Sequence, residues 1–369
     1  MARKGKNPFH YTSLVSEDAA APRPDLETAL LTYFKSRQNL LVQGPRRTGK
    51  TSLIVDTFRR LEEKKKCWLV EADFFGVQDR QRVIEKLHRA IGRMPLASGL
   101  RVKVQEVLGQ LREFGFGGFK AGWHGNAKGL EDLLELFDAI NKNRPVVVFF
   151  DEFQALTEID DAADVLGSMR SVIQKQPDVF YLFAGSDQNS LRQMFFVEKN
   201  PFLKSVSVLE VGPIQRNEFI LWLVQRFEAG KRTVEPTVWE PLFDLVDDIP
   251  GDVQQVCHGL WEASAPGQTI GLELLEATLD GIAAMQDTSF HDLWSVLATN
   301  QKRLLSGIAQ MPGVGHTSAD FRKRIGIDST ATASRAMDAM LDKGVLWRSG
   351  DKVVFSNPFL RYWLLKQDF

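Results

Sequence analysis

The sequence predicts an α/β fold, a parallel sheet flanked by helices, followed by a helical segment and a small C-terminal domain of helices and one hairpin. Three observations carry that reading. Apolar runs at Asn39–Val42, Trp68–Asp73, Val146–Phe150 and Val179–Ala184 are nearly unbroken, and the later ones end in acidic or small polar residues. Strands buried on both faces of a parallel sheet have this composition, with functional residues just beyond their carboxyl ends. A glycine-bearing turn follows the first run and leads into Ser52–Phe58, where apolar residues recur at helical spacing. From about Leu293 the pattern changes to short amphipathic helices and a hairpin.

The turn after the first strand reads Gly44-Pro45-Arg46-Arg47-Thr48-Gly49-Lys50-Thr51, which fits the phosphate-loop pattern G-x-x-x-x-G-K-[ST]. Glycines let the backbone curl so that its N–H groups surround phosphates, and the following helix presents its positive end. Residues Gly44 to Ser52, with Pro45, Arg46, Arg47, Thr48 and Gly49 among them, are therefore expected to hold a nucleoside triphosphate. Lys50 is expected to reach the β- and γ-phosphate oxygens and the Thr51 hydroxyl to ligate Mg²⁺.

The third run ends in Asp151-Glu152. A carboxylate pair at a strand exit is a solvated turn when it stands alone. Downstream of a phosphate loop it is expected to supply Asp151 for Mg²⁺ and Glu152 to polarise the attacking water. The fourth run leads into Gly185-Ser186-Asp187. Ser186 or Asp187 either senses the γ-phosphate or caps the next helix, and both readings stay open here. A phosphoryl-transfer arginine is not fixed by the sequence, with Arg170, Arg192 and Lys204 as candidates.

Helical periodicity returns at Arg216–Leu223 and Asp252–Glu262, which predicts a helical lid over 216–290 between a core at 1–215 and a C-terminal domain at 291–369. In that last domain Gln301–Ala309 and Ser318–Gly326 read as two helices, with Ser318 as N-cap. A third spans Ser329–Lys343, with Ala333, Ala336, Met337, Met340 and Leu341 on one face and Gly344 as its stop. Val345–Arg348 and Lys352–Phe355 then form a hairpin around Ser349-Gly350-Asp351. Three helices and a hairpin make a winged helix, whose third helix would enter the major groove of duplex DNA. Charge does not decide that use. From Leu293 to Phe369 eleven Lys/Arg stand against six Asp/Glu, concentrated at Arg322, Lys323 and Arg324, while the third helix carries Asp338 and Asp342 beside Thr330, Ser334 and Arg335. The other reading is a domain that packs on its neighbours and moves with nucleotide state.

These motifs together resemble the archaeal-type ATPase family, a branch of the STAND and AAA-like P-loop NTPases. Asn7-Pro8-Phe9, Val15–Asp18 and Arg23–Glu27 are similar to the family's N-terminal segment, which implies a nucleotide-side role for Arg23. The stretches 44–53, 146–156 and 183–191 look like its phosphate loop, acidic strand and sensor, and Ile249–Gln255 resembles its lid motif with the Pro–Gly order altered. The chain departs from the family at Asn200–Ser205, where many members carry an arginine-bearing segment. The resemblance implies ATP as the nucleotide; by sequence alone GTP is disfavoured only because no N-K-x-D pattern stands out.

Composition sets the remaining bounds. A length of 369 residues allows two or three domains, and a net charge of −1 confines any nucleic-acid contact to a local patch. The two cysteines, Cys67 and Cys257, read as reduced core thiols, and the six histidines show no zinc spacing. No apolar run is long enough to span a bilayer, and the Met1–Lys6 start lacks a signal-peptide core, so a cytoplasmic protein without membrane contact is expected. The stretch Gly99–Gly129, with Phe114, Phe116 and Phe119 among glycines, is read as a short hairpin on the core or as a sticky loop. Three functions follow as expectations. One is a slow ATPase switch whose nucleotide state rearranges lid and winged helix and drives self-association or engagement of a separate effector protein. The second is a DNA-binding regulator or loader. The third is a nucleotide-dependent scaffold with negligible turnover.

Overall fold

In the computed structural model, residues 6–11, 20–96, 101–102, 104–106, 127–198, 200–349 and 352–367 are described. The chain divides into two compact units, one of residues 22–45 and 49–212, the other of residues 1–21, 46–48 and 213–369.

The first unit is built on a five-stranded, all-parallel sheet. Its strands are β1 (Leu40–Gln43), β2 (Trp68–Asp73), β3 (Val146–Asp151), β4 (Phe180–Ala184) and β5 (Ser207–Glu210), in the order β2-β3-β4-β1-β5. Helices α1 (Pro24–Ser36), α2 (Lys50–Glu63), α3 (Arg80–Gly92), α4 (Ala127–Asn141), α5 (Ala162–Ile173) and α6 (Gln188–Phe196) cover it. Alternate strand residues face opposite sides, and the burial records it. Leu40, Val42, Leu69, Val147, Phe149, Phe180 and Leu182 join Leu30 of α1 and Ile54 and Phe58 of α2 in one apolar cluster. Their neighbours Leu41, Val70, Val148, Phe150, Tyr181 and Phe183 join residues of α3 to α6 in another. The central runs look continuous in sequence because both faces are dry.

β4 lies between β1 and β3, so the exits of all three strands converge on one edge. β5 was not anticipated from the sequence. Its first three residues, Ser207 to Leu209, are only half-buried, as on an edge strand, and it pairs with β1 from Leu40↔Ser207 to Gln43↔Glu210.

The second unit contains helices α7 (Arg216–Ala229), α8 (Trp239–Leu245), α9 (Pro250–Ala263), α10 (Leu272–Ala284), α11 (Asp287–Ser295), α12 (Thr299–Gln310), α13 (Ala319–Ile325), α14 (Thr330–Asp342) and α15 (Pro358–Lys366). Strands β6 (Thr233–Val234) and β7 (Thr269–Ile270) form a short parallel pair, and β8 (Leu346–Ser349) and β9 (Lys352–Phe355) the antiparallel hairpin. Ser318 and Ser329 cap α13 and α14 through their hydroxyls, and Gly344 beyond α14 is left-handed, with φ 67°.

One apolar core runs through the whole unit, from Phe9 through Trp222, Trp239 and Leu260 to Leu305, Met337 and Trp363. It does not stop at residue 290. Helix α15, which the sequence reading did not foresee, is the fastener. Arg361 donates to Asp244 O of α8 and Ala309 O of α12, Tyr362 donates to Asp280 of α10, and Trp363 Nε1 donates to Asp287 of α11. Its start was legible, since Asn357 caps it and Pro358 occupies its first turn. Phe114, Phe116 and Phe119 of the glycine-rich stretch lie outside the described residues, as do Val15–Asp18 and the hairpin tip at 350–351.

Candidate nucleotide site

The phosphate loop begins where β1 ends and closes at the N-terminus of α2. Gly44 and Gly49 have φ values of 154° and 87°, and the left-handed conformation of Gly49 is one that a side chain strains to adopt. Nothing lies within 4 Å of where a Gly49 Cβ would sit, so the requirement there is conformational. Lys50, the first residue of α2, is buried to 7% exposure and donates from Nζ to the carbonyls of Gly44 and Pro45, at 2.9 and 2.8 Å. Its ammonium therefore sits inside the curl of the loop.

One residue further, Thr51 Oγ1 donates to Asp151 Oδ2 at 2.7 Å, joining the start of α2 to the end of β3. Burial raises the Asp151 carboxyl, the Thr51 and Glu152 N–H hydrogen bonds oppose that, and nearby Glu152 and Asp73 add to it. A hydroxyl and a carboxylate oxygen side by side are the hard donors Mg²⁺ selects. The pair fits that ion.

Glu152 follows with φ 48°, a left-handed conformation uncommon for a residue with a side chain. Its backbone N–H donates to Asp151 Oδ1 at 3.0 Å, and its Oε2 accepts from Ser186 Oγ at 2.9 Å and from Gln154 Nε2. Ser186 is thus brought to Glu152 from the exit of β4. Asp187 Oδ1 caps α6, accepting from the N–H groups of Asn189 and Ser190. Gln154 carried no role in the sequence reading; its place two residues beyond Glu152 was the available signal.

Arg23 precedes α1 and donates to Gly212 O at 2.7 Å, just beyond β5. Burial lowers its guanidinium to about 10. Arg170 lies on α5 beside Gln174, while Arg192 and Lys204 are exposed.

Residues 46–48 group with the second unit, where Arg47 is gripped by the N-terminus of α9. Gly251 N donates to Arg47 O at 3.0 Å, and the Arg47 guanidinium reaches Gly251 O, Gln255 Oε1 and, at 2.9 Å, Asp252 Oδ1. A Cβ at Gly251 would come within 2.9 Å of the Arg47 backbone, so this glycine permits the close approach. Burial pushes Asp252 up to about 6, Arg47 opposes the shift and Asp247 adds to it. Beside the pair is a cavity of about 710 Å³ edged by Tyr11, His258 and Glu262.

In the C-terminal region the basic trio is partly committed. Arg322 donates to the carbonyls of Thr317 and Asp328, bracing the turn after α13, whereas Lys323 is exposed. Lys302, Arg303 and Arg324 line a groove of about 610 Å³ beside Trp294, with no acid among its lining residues.

Among solved structures the chain is similar to a Walker-type ATPase of Pyrococcus abyssi, at 15% identity over 97% of this chain and 99% of that one, with a TM-score of 0.66. Residues 288–366 match the family described as a probable winged helix domain. The fold is that of a P-loop ATPase with a C-terminal winged helix. The same P-loop architecture is shared with the ORC1 protein of Aeropyrum pernix, solved in complex with DNA (14% identity, 95% and 94% of the two chains, TM-score 0.51). It is shared too with the ADP form of that organism's ORC2 protein (16%, 94% and 95%, TM-score 0.50). These neighbours agree with the archaeal-type resemblance, and at such identities the likeness is one of fold. No curated protein matches the sequence. Among the described residues of this P-loop chain no helix is long and apolar enough to cross a membrane.

Proposed function

We propose that this protein binds ATP with Mg²⁺ and hydrolyses it to ADP and phosphate, slowly in the absence of a partner. The observation that carries the reading is the 2.7 Å hydrogen bond between Thr51 and Asp151, which joins the two halves of an ion site beside Lys50 and Glu152. Residues Gly44 to Ser52 hold the phosphates through backbone N–H groups and Lys50, and Arg23 lies on the nucleotide side. Thr51 and Asp151 hold Mg²⁺, which neutralises phosphate charge when bound. Glu152 takes a proton from the attacking water, whose oxygen bonds to the γ-phosphorus as the β–γ bridging bond breaks and ADP leaves, and Ser186 sits where it can register the γ-phosphate through Glu152. The likeness to Walker-type ATPases supports nucleotide binding in general.

The output of the cycle is the second part of the proposal. The core at 1–215 turns over nucleotide, and the lid at 216–290 with the winged helix at 291–369 relays its state to self-association or to a separate effector. Two buried free thiols, Cys67 and Cys257, accord with a reducing cytoplasm. A second reading, duplex DNA binding by 291–369, is favoured by the acid-free basic groove and by the ORC1 neighbour having been solved with DNA.

The deciding experiment is the steady-state ATPase rate of wild type and Lys50→Ala, each with and without duplex DNA near physiological salt. A Lys50-dependent rate indifferent to DNA supports the protein-partner switch. DNA stimulation lost in the variant makes the regulator or loader reading primary. A wild-type rate no higher than that of the variant reduces the proposal to nucleotide binding.

A further inference from the structure

Among the described residues the Glu152 carboxylate is held at one oxygen, Oε2, by donors from two different strand exits. Ser186 Oγ, beyond β4, and Gln154 Nε2, in the 3₁₀ turn Phe153–Thr157 beyond β3, both donate to Oε2. The turn that carries Gln154 is tied down on both sides. Thr157 Oγ1 donates to Gln154 O at 2.7 Å, Ala155 N donates to Glu152 O at 2.9 Å, and the neighbouring Phe153 ring is packed against Phe150, Phe183, Phe195 and Phe202. The Gln154 side chain is itself buried to 7% exposure, and its Oε1 has no hydrogen-bond partner among the described residues. Leaving a buried amide oxygen unsatisfied is costly, so this placement calls for a reason beyond packing. Turning the amide over would aim that oxygen at a carboxylate, which repels it, so the orientation is fixed by Glu152.

Room for the amide comes from Gly185. A Cβ there would overlap Gln154 Oε1 far inside van der Waals contact, although φ at 185 lies outside the left-handed region that favours glycine. This glycine is therefore a spatial requirement of Gln154.

We infer that Gln154 is a positioning residue for hydrolysis: with Ser186 it fixes the plane of the Glu152 carboxylate through Oε2 and so presents Oε1 to the attacking water, in a slot that only glycine at 185 leaves open. The inference rests on the proposed role of Glu152. Orientation of a general base is worth orders of magnitude when a misplacement of about 1 Å costs roughly a hundredfold.

The test is a set of ATPase measurements with Mg²⁺ and ATP on wild type, Glu152→Gln, Gln154→Met, Gln154→Ala, Gly185→Ala and the Gln154→Ala/Gly185→Ala double variant. Gln154→Met keeps the volume and removes the donor. It is expected to lower kcat at least tenfold, leave KM for ATP within about twofold and melt with the wild type. Gly185→Ala is expected to reproduce that loss by displacing the amide, and to add nothing in the Gln154→Ala background, where the space is empty. A merely structural Gln154 predicts instead that the Met variant turns over normally; that result, with Glu152→Gln inactive, overturns the inference. Independent, additive losses at 154 and 185 overturn it as well. If Glu152→Gln matches the wild type, or the wild type has no turnover, the hydrolysis reading fails first and takes the positioning role with it.

Discussion

The sheet unit and the C-terminal unit were built by different kinds of information. In the sheet unit the four strands other than the edge strand β5 announce themselves, because a central parallel strand is dry on both faces and the candidate site residues lie within a few residues of strand ends. In the C-terminal unit the helices announce themselves but their partners do not. A helix from 358 to 366 donates hydrogen bonds to residues as far back as Asp244, and nothing in its own composition says so. Sites assembled from strand exits can be read locally, whereas a helical core is decided by packing between distant segments.

Removing the α15 fastener strikes the C-terminal unit hardest. Trp363 packs against Phe290, His291 and Trp294 and bonds Asp287, so Trp363→Ala is expected to cost about 3–5 kcal/mol of the C-terminal unit's stability, leaving the sheet unit's transition in place. Denaturant unfolding followed by fluorescence and by far-UV circular dichroism separates the two. A single transition that falls as one would show the units to be energetically inseparable.

The complementary prediction lies in the sheet unit. Lys50→Ala is expected to lower ATP turnover by two to three orders of magnitude, about 2.7–4 kcal/mol, while the C-terminal unit unfolds as before. Steady-state kinetics and the same denaturation curve check both halves.

A smaller effect concerns Asp252. Its folded pKa, about 6, lies above the ordinary carboxylate value, so the folded protein holds its proton more tightly than the unfolded chain. The associated stability is fully present below about pH 4 and is lost as pH rises towards 6, by an amount of order 2–3 kcal/mol. Urea midpoints between pH 4 and 7 are expected to show this decline in the wild type and a flatter profile in Asp252→Asn. An unchanged slope in the variant would assign the decline to other groups. The smallest effect is at Asp187, where loss of the α6 cap in Asp187→Ala is expected to cost about 1 kcal/mol with turnover nearly unchanged. A large kinetic defect there would return the sensor role to Asp187.

Much of the site was legible. Lys50, Thr51, Asp151, Glu152 and Ser186 are candidates named from strand-adjacent patterns, and the structure brings Thr51 to Asp151 and Ser186 to Glu152. Gln154 has no such signal, because what sets it apart is a contact with Glu152 and the room Gly185 leaves, neither of which is a pattern in sequence. Arg47 looked like a phosphate-loop residue and is gripped by α9, some two hundred positions away. Strand β5 escaped notice because an edge strand is only half-buried and its run is short.

The sequence by itself determined the parallel sheet, the glycine-bearing loop between β1 and α2, the acidic pair and the helix–hairpin order of the C-terminal domain. These follow from burial periodicity and from residues whose chemistry is set by near neighbours in the chain. Tertiary structure alone decided which carboxylate oxygen is held, which arginine of the loop is tied down, and that the helices on either side of residue 290 share one core. Those outcomes depend on distances between segments remote in sequence, which local propensity does not encode.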